Sequence, residues 1–224
     1  MLQTKDSSGF SEAWEDYLRL VEERPEAFSQ DERMKLVFDR DAVQDYAQRT
    51  GKPMGIVYRS PYHIMVVDLV QTPDGKRFAY ERLLPAVQRG AVVTIPYYSG
   101  RYALLRQFRH ALRGEQYAFP RGFAEEGLSV EENAEKELWE ELGSHVYAAK
   151  RLGTVVADSG ISGNAVSVVL CEVGEVALHR DYEGIQDVIL LTESELSEWI
   201  AAGKIDDGFT LAAFALLQAH TLKL

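Results

Sequence analysis

The chain has 224 residues, 46% of them hydrophobic, with 24 basic against 35 acidic side chains and a net charge of -11. That length fits one large domain or a core domain with an extension, and the apolar content suffices for a packed core. The acidic balance argues against a nucleic-acid polymer as partner, because backbone binding needs clustered Lys and Arg. A small anionic substrate stays compatible wherever metal ions or local arginines invert the field.

The lone Cys171 excludes an intramolecular disulfide and fits a reducing compartment. Within the apolar run AVSVVLCEV it reads as a buried structural thiol. The first residues, MLQTKDSSGFSEAWEDY, hold no apolar signal core, and no run reaches membrane-spanning length. The expectation is a soluble, cytoplasmic protein with no membrane partner.

In chain order, SEAWEDYLRLVEE predicts a helix capped by Ser11, with Trp14, Leu18 and Val21 on one side, interrupted by Pro25. DRDAVQDYAQRTG predicts a second helix ended by Gly51. From Tyr58 the pattern changes to strands: HIMVVDLVQ and RFAYERLL joined by the turn signal TPDGK, then GAVVTIPYY and YALLRQFRH joined by a Ser-Gly turn. The Glu-rich helix follows, with a capping-box pattern at Ser129 and Glu132 and a stop at Gly143. RLGTVVADS and NAVSVVLCEV then read as strands around the loop DSGISGN, DVILLT as another, and ESELSEWIAAG and FTLAAFALLQAHTL as closing helices. Strands interleaved with helices argue for an α/β or α+β layer architecture. Trp14, Trp139 and Trp199 fall in helical patterns and read as core or interface residues, while Tyr58 and Tyr62, just before the first strand, are candidates for base stacking.

The chemistry concentrates in GFAEEGLSVEENAEKELWEELG, residues 122–143. Glu137, Glu140 and Glu141 lie three and four residues apart, within an arc of about 100° on a helix. Like charges at that spacing repel unless a cation neutralises them, and a hard divalent ion bound through oxygen would do so. The cluster is a candidate metal site; a solvated helix face is the alternative.

This segment resembles the box of the Nudix hydrolases, G-x5-E-x7-R-E-U-x-E-E-x-G-U with U a bulky apolar residue. The alignment places the first Gly on Gly122 and the R-E-U-x-E-E-x-G run on Lys136, Glu137, Leu138, Trp139, Glu140, Glu141, Leu142 and Gly143. Leu128 stands where the early Glu belongs, Lys136 replaces the Arg, and Ser144 takes the last apolar position. That Glu and Arg form a structural pair between loop and helix in the family, so here both partners have changed together. Lys136 can pair instead with Glu132 or Glu140.

YALLRQFRHALRGEQYAFPRG, DSGISGN and EWIAAGKIDD resemble the ADP-ribose pyrophosphatase branch, although the loop lacks the branch's Pro, Asn164 stands at its Glu position, and Arg121 replaces a usual Ala. The resemblance implies an α/β fold, a Nudix-type α/β/α sandwich with a mixed sheet over residues 58–224, preceded by a helical extension over 1–57. It implies a homodimer and a Mg2+-dependent hydrolase, with Mn2+ as substitute, cleaving the pyrophosphate of ADP-ribose or another nucleoside diphosphate sugar.

In that scheme Glu137, Glu140 and Glu141, with the Arg121 carbonyl, hold the metal. Glu183 in HRDYEGIQD takes the water's proton, with Glu140 as the fallback base. Arg106 and Arg109, alternating with Leu105 and Phe108, read as a phosphate-binding pair on one face or as structural ion pairs, and Arg121 joins them at the pocket. His110 and His179 read as polar surface residues rather than ligands, because carboxylates dominate the site. The competing reading is a Nudix-fold ligand-binding or regulatory module with reduced catalysis, motivated by Leu128, Lys136 and Asn164.

Overall fold

In a computed structural model, which describes residues 7–87, 90–177 and 184–221, the chain divides into two units. The first comprises residues 1–88 with 158–163, the second 89–157 with 164–224. The division falls well after the expected boundary at Tyr58 because the first hairpin strands pack with the N-terminal helices.

The first unit begins with helix α1 (Ser7–Glu23). It starts a turn earlier than the Ser11 cap expected from the sequence, since Phe10 extends the apolar stripe by stacking on Trp14 at 6.2 Å. A 3-10 turn at Pro25–Phe28, strand β1 (Lys35–Leu36), helix α2 (Arg40–Thr50) and strands β2 (Gly55–Arg59), β3 (His63–Gln71) and β4 (Arg77–Pro85) follow. Strand β3 pairs antiparallel with β4 along its length, and with β2 and β1 nearer its two ends. Trp14, Tyr17, Leu20, Val43, Ile64, Val66 and Leu69 form the core.

One charged group is sealed inside that core. Asp68 is 1% exposed and accepts from the Tyr17 hydroxyl and from Nε of Arg82. The Arg82 guanidinium also donates to the Ala27 carbonyl at 2.7 Å and lies 4.8 Å from the Phe28 ring. Burial, then the neighbouring Asp68 carboxylate, raises the Tyr17 phenol far above its ordinary pKa. Residues 158–163 of the DSGISGN loop also belong to this unit, with the Ile161 carbonyl accepting from Leu83 N at 2.8 Å and that of Gly160 from the Tyr80 hydroxyl at 2.8 Å.

The second unit contains β5 (Ala91–Tyr98), β6 (Arg101–Arg109), β7 (Gly114–Ala118), β8 (Arg121–Phe123), α3 (Val130–Leu142), β9 (Val146–Val156), β10 (Ala165–Val173), β11 (Ile185–Leu191), α4 (Glu193–Ala201) and α5 (Gly208–Thr221). Its seven-stranded sheet runs β11-β6-β5-β10-β9, with β7 on β6 and β8 on β5. The β10–β5 pair is parallel and the others are antiparallel, which makes the sheet mixed.

Side-chain alternation splits the apolar residues between two faces. Ala103, Leu105, Val169 and Cys171 pack with Ala134, Leu138 and Leu142 of α3. Val93, Ile95, Leu104 and Val168 pack with Leu196 of α4 and Ala213 and Leu217 of α5. The result is the expected α/β/α layering. Cys171 is fully buried, and burial pushes its thiol up to about 12.

Candidate active site

Helix α3 carries the glutamates and is set by its ends. Ser129 caps it, with Glu132 N donating to Ser129 Oγ at 3.2 Å and Ser129 N donating back to Glu132 Oε2 at 2.7 Å. Those bonds hold the Glu132 carboxyl below its ordinary pKa. Gly143 closes the helix at φ 59, the left-handed conformation that glycine adopts at little cost. With Leu138 and Leu142 buried against the sheet, the three glutamates receive three different environments.

Glu141 is only 7% exposed. The carboxylate of Glu137 lies against Gly122, so close that a Cβ on Gly122 would sit 2.5 Å from the Glu137 Cδ. Glu140 is about half exposed and pairs with Nζ of Lys136, one turn back. Among the described residues no three His, Cys, Asp or Glu side chains are gathered in metal-holding geometry. The donor set still fits a hard divalent cation: it is all carboxylate oxygen, and Glu141 is held largely buried within it.

The tetrapeptide Phe119–Gly122 leads into this helix through β8. The Pro120 carbonyl accepts from Thr94 N at 2.9 Å and Thr94 Oγ1 at 3.1 Å. Gly122 stands opposite Val92, and Arg121 opposite Val93. Since Val93 belongs to the core under α4 and α5, alternation turns the Arg121 side chain to that face while Gly122 looks toward α3. The Arg121 guanidinium accordingly donates to Asp207 Oδ1 at 2.7 Å and lies 4.9 Å from the Phe209 ring. The structure does not bring this side chain to the glutamates.

Arg106 and Arg109 part company for the same reason. Strand β6 keeps an unbroken register with β7 from Leu105 to Arg109, so residues three apart face opposite ways. Arg106 shares the face of Leu104 and sits 3.7 Å from Glu115, whereas Arg109 shares the α3 face. The single-face pairing expected of them therefore fails, because a spacing of three suits a helix and not a strand.

His110 is exposed, with Nδ1 2.9 Å from Nη1 of Arg113. Glu183 and His179 lie outside the described residues. Trp139, read as a core or interface residue, is 46% exposed and lies tilted against the His145 ring at 4.8 Å, since it follows buried Leu138 and turns to the outer face of α3. Trp14 is core, and Trp199 packs edge-on to Tyr117 at 5.0 Å. Tyr58 and Tyr62 are exposed in the first unit.

The NUDIX domain family model matches residues 87–207, more than half of the chain. The chain belongs to the Nudix family. Curated relatives called ADP-ribose pyrophosphatase, from Escherichia coli K12, Escherichia coli O157:H7 and Shigella flexneri, are each 31% identical over 105 residues, or 44% of this chain and 50% of theirs. The chain spans about half the length of the curated relatives it matches. A crystal structure of an ADP compounds hydrolase covers 73% of this chain and 89% of its own with a TM-score of 0.66 and 20% identity. At that identity the likeness speaks for the fold.

Within this Nudix domain the altered box positions acquire a physical explanation. Leu128 is 38% exposed and plays no part in an ion pair, while Lys136 reaches Glu125 Oε1 at 3.3 Å as well as Glu140. The loop-to-helix pairing here runs through Glu125, three residues before Leu128. The Glu140 hydrogen bond is the main reason the Lys136 ammonium lies above its ordinary pKa. Buried Asn133 reinforces the link, accepting from Glu125 N at 2.6 Å and donating to the Ser129 carbonyl at 2.8 Å.

Sequence reading found the glutamates but missed Glu125, Asn133, Thr94, Asp207 and Thr210. Only Asp207 left a signal, the Asp-x-x-Thr cap before FTLAAFALL.

Proposed function

We propose that this chain is a Mg2+-dependent hydrolase, with Mn2+ as substitute, of the pyrophosphate bond in ADP-ribose or another nucleoside diphosphate sugar. The observation that carries the reading is the α3 carboxylate set beside Gly122, with Glu137 filling the space a side chain would occupy and Glu141 buried. The relatives called ADP-ribose pyrophosphatase support the substrate class.

Glu137, Glu140 and Glu141, with the Arg121 carbonyl, would hold the metal, which supplies neutralisation of the diphosphate and acidification of a bound water. Among the arginines, Arg109 shares the face of α3 and supports the anionic substrate electrostatically. Arg106 and Arg121 anchor the opposite face through Glu115 and Asp207. Glu183, or Glu140 in its place, accepts the proton as water oxygen bonds to one phosphorus. The bridging P–O bond breaks, and two phosphomonoesters leave.

The proposal extends to a cytoplasmic homodimer. No helix among the described residues is long and apolar enough to cross a membrane.

The ion pair between Lys136 and Glu140 favours a second reading, a ligand-binding module in which one would-be metal ligand is already neutralised. A panel of nucleoside diphosphate sugars, dinucleoside polyphosphates and NADH, incubated with Mg2+ or Mn2+ and read by mass, separates the two. Cleavage of ADP-ribose to AMP and ribose 5-phosphate, lost in Glu141→Gln, is the expected result. Binding without turnover on any member would favour the module.

A further inference from the structure

Every residue of the tetrapeptide leading into the glutamate helix is held by a specific contact, and two of the four contacts converge on Asp207. Its Oδ1 accepts from Arg121 at 2.7 Å. Its Oδ2 accepts from Thr210 N at 2.9 Å and Thr210 Oγ1 at 2.7 Å, which makes Asp207 the cap of α5. Because the Thr210 hydroxyl spends its proton on Asp207, its oxygen is left to accept from Phe119 N, at 2.9 Å.

Capping alone does not account for this carboxylate. Asp207 is 5% exposed, and a helix cap needs no cation, yet Arg121 is brought across from β8 and stacked on Phe209 to face it. The neighbouring Asp206 makes a parallel link, accepting from Gln116 Nε2 of β7 at 2.9 Å. The start of α5 therefore grips two successive strands at the point where the chain turns toward α3.

We propose that Asp207 is a positioning residue for the carboxylate site: by fixing Arg121 directly and Phe119 through Thr210, it sets where the Arg121 carbonyl and the Gly122 gap meet Glu137. This inference rests on the hydrolase reading for its consequence, but metal affinity tests it without turnover. Asp207→Asn is the discriminating variant, since Asn caps a helix about as well as Asp but offers Arg121 no charge. Asp207→Ala removes cap and ion pair together.

Mn2+ binding by electron paramagnetic resonance, without substrate, is expected to weaken roughly tenfold in Asp207→Asn, as for other groups that orient metal ligands, with Tm lowered by the lost ion pair but less than in Asp207→Ala, which loses the cap as well. Arg121→Gln is expected to weaken it by the same factor, and the double variant by no more than either alone. Parental Mn2+ affinity in Asp207→Asn would overturn the proposal. So would losses that multiply in the double variant, or that simply follow Tm across Asp207→Asn and Asp207→Ala. A parent that binds Mn2+ but cleaves nothing in the panel sinks the hydrolase reading and leaves this one standing. A parent that cleaves ADP-ribose beside an unaffected Asp207→Asn sinks this one alone. A parent that binds no Mn2+ sinks both.

Discussion

Gly122 and Glu137 are complementary in space: the carboxylate of one occupies the volume that a side chain on the other would need, with the nearest carboxyl carbon 2.5 Å from an added Cβ. The atoms that would collide are the far end of a flexible side chain. Gly122→Ala is therefore expected to swing the Glu137 carboxylate aside while the fold persists. Mn2+ affinity should fall roughly tenfold with Tm shifted by only a few degrees. Equal affinity in both proteins would mean that Glu137 does not ligand metal from this position.

Glu183 and Glu140 compete for the role of base, and substitution separates them. Glu183→Gln is expected to lower turnover about a hundredfold, the scale of a general base, while Mn2+ affinity stays near the parental value. Glu140→Gln is expected to weaken Mn2+ binding as well. If Glu183→Gln turns over normally, the proton goes elsewhere and Glu140 inherits the assignment.

Lys136 joins Glu125 to Glu140 at the surface, so its energetic effect is bounded. Lys136→Met is expected to cost less than about 1 kcal/mol in urea unfolding, because both partner carboxylates are about half exposed. The sign with pH follows from the raised lysine pKa. A group held above its unfolded value stabilises fully below that unfolded value and stops doing so as pH rises through the folded one. The gap between parent and variant should thus hold from neutral pH upward and close only above the ordinary lysine range. A gap that closed between about pH 7 and pH 9 would contradict the pairing.

The buried Asp68 is a different case. Asp68→Asn leaves an oxygen for Tyr17 but removes the charge facing Arg82, whose side chain is 23% exposed, and breaking so largely buried an ion pair costs about 3 kcal/mol. Tyr17→Phe removes one hydrogen bond and should cost less, about 1–3 kcal/mol. Denaturant unfolding that ranks Tyr17→Phe as the more damaging would show that the hydroxyl, not the ion pair, dominates this network.

The end of α2 at Gly51, both ends of α3 with the capping box at Ser129, and the hairpin at Thr72–Lys76 were legible because each depends on neighbours within a few residues. Gly75, for instance, takes φ 84 in the turn that TPDGK signalled. Strand β2 and the short strands β7 and β8 were not legible, since GIVYR, GEQYA and RGF carry little pattern and exist through pairing with distant partners.

The sequence by itself determined that three glutamates share one face of a helix, because helical spacing is a local property of the backbone. Their separate fates were decided by tertiary structure. Gly122 arrives from a strand to make room for Glu137, Lys136 takes hold of Glu140, and the protein interior closes over Glu141. The same holds for the arginines. Arg106, Arg109 and Arg121 looked like one cationic group along the chain, but a strand sends alternate side chains to opposite faces, and only the assembled sheet gives those faces different neighbours.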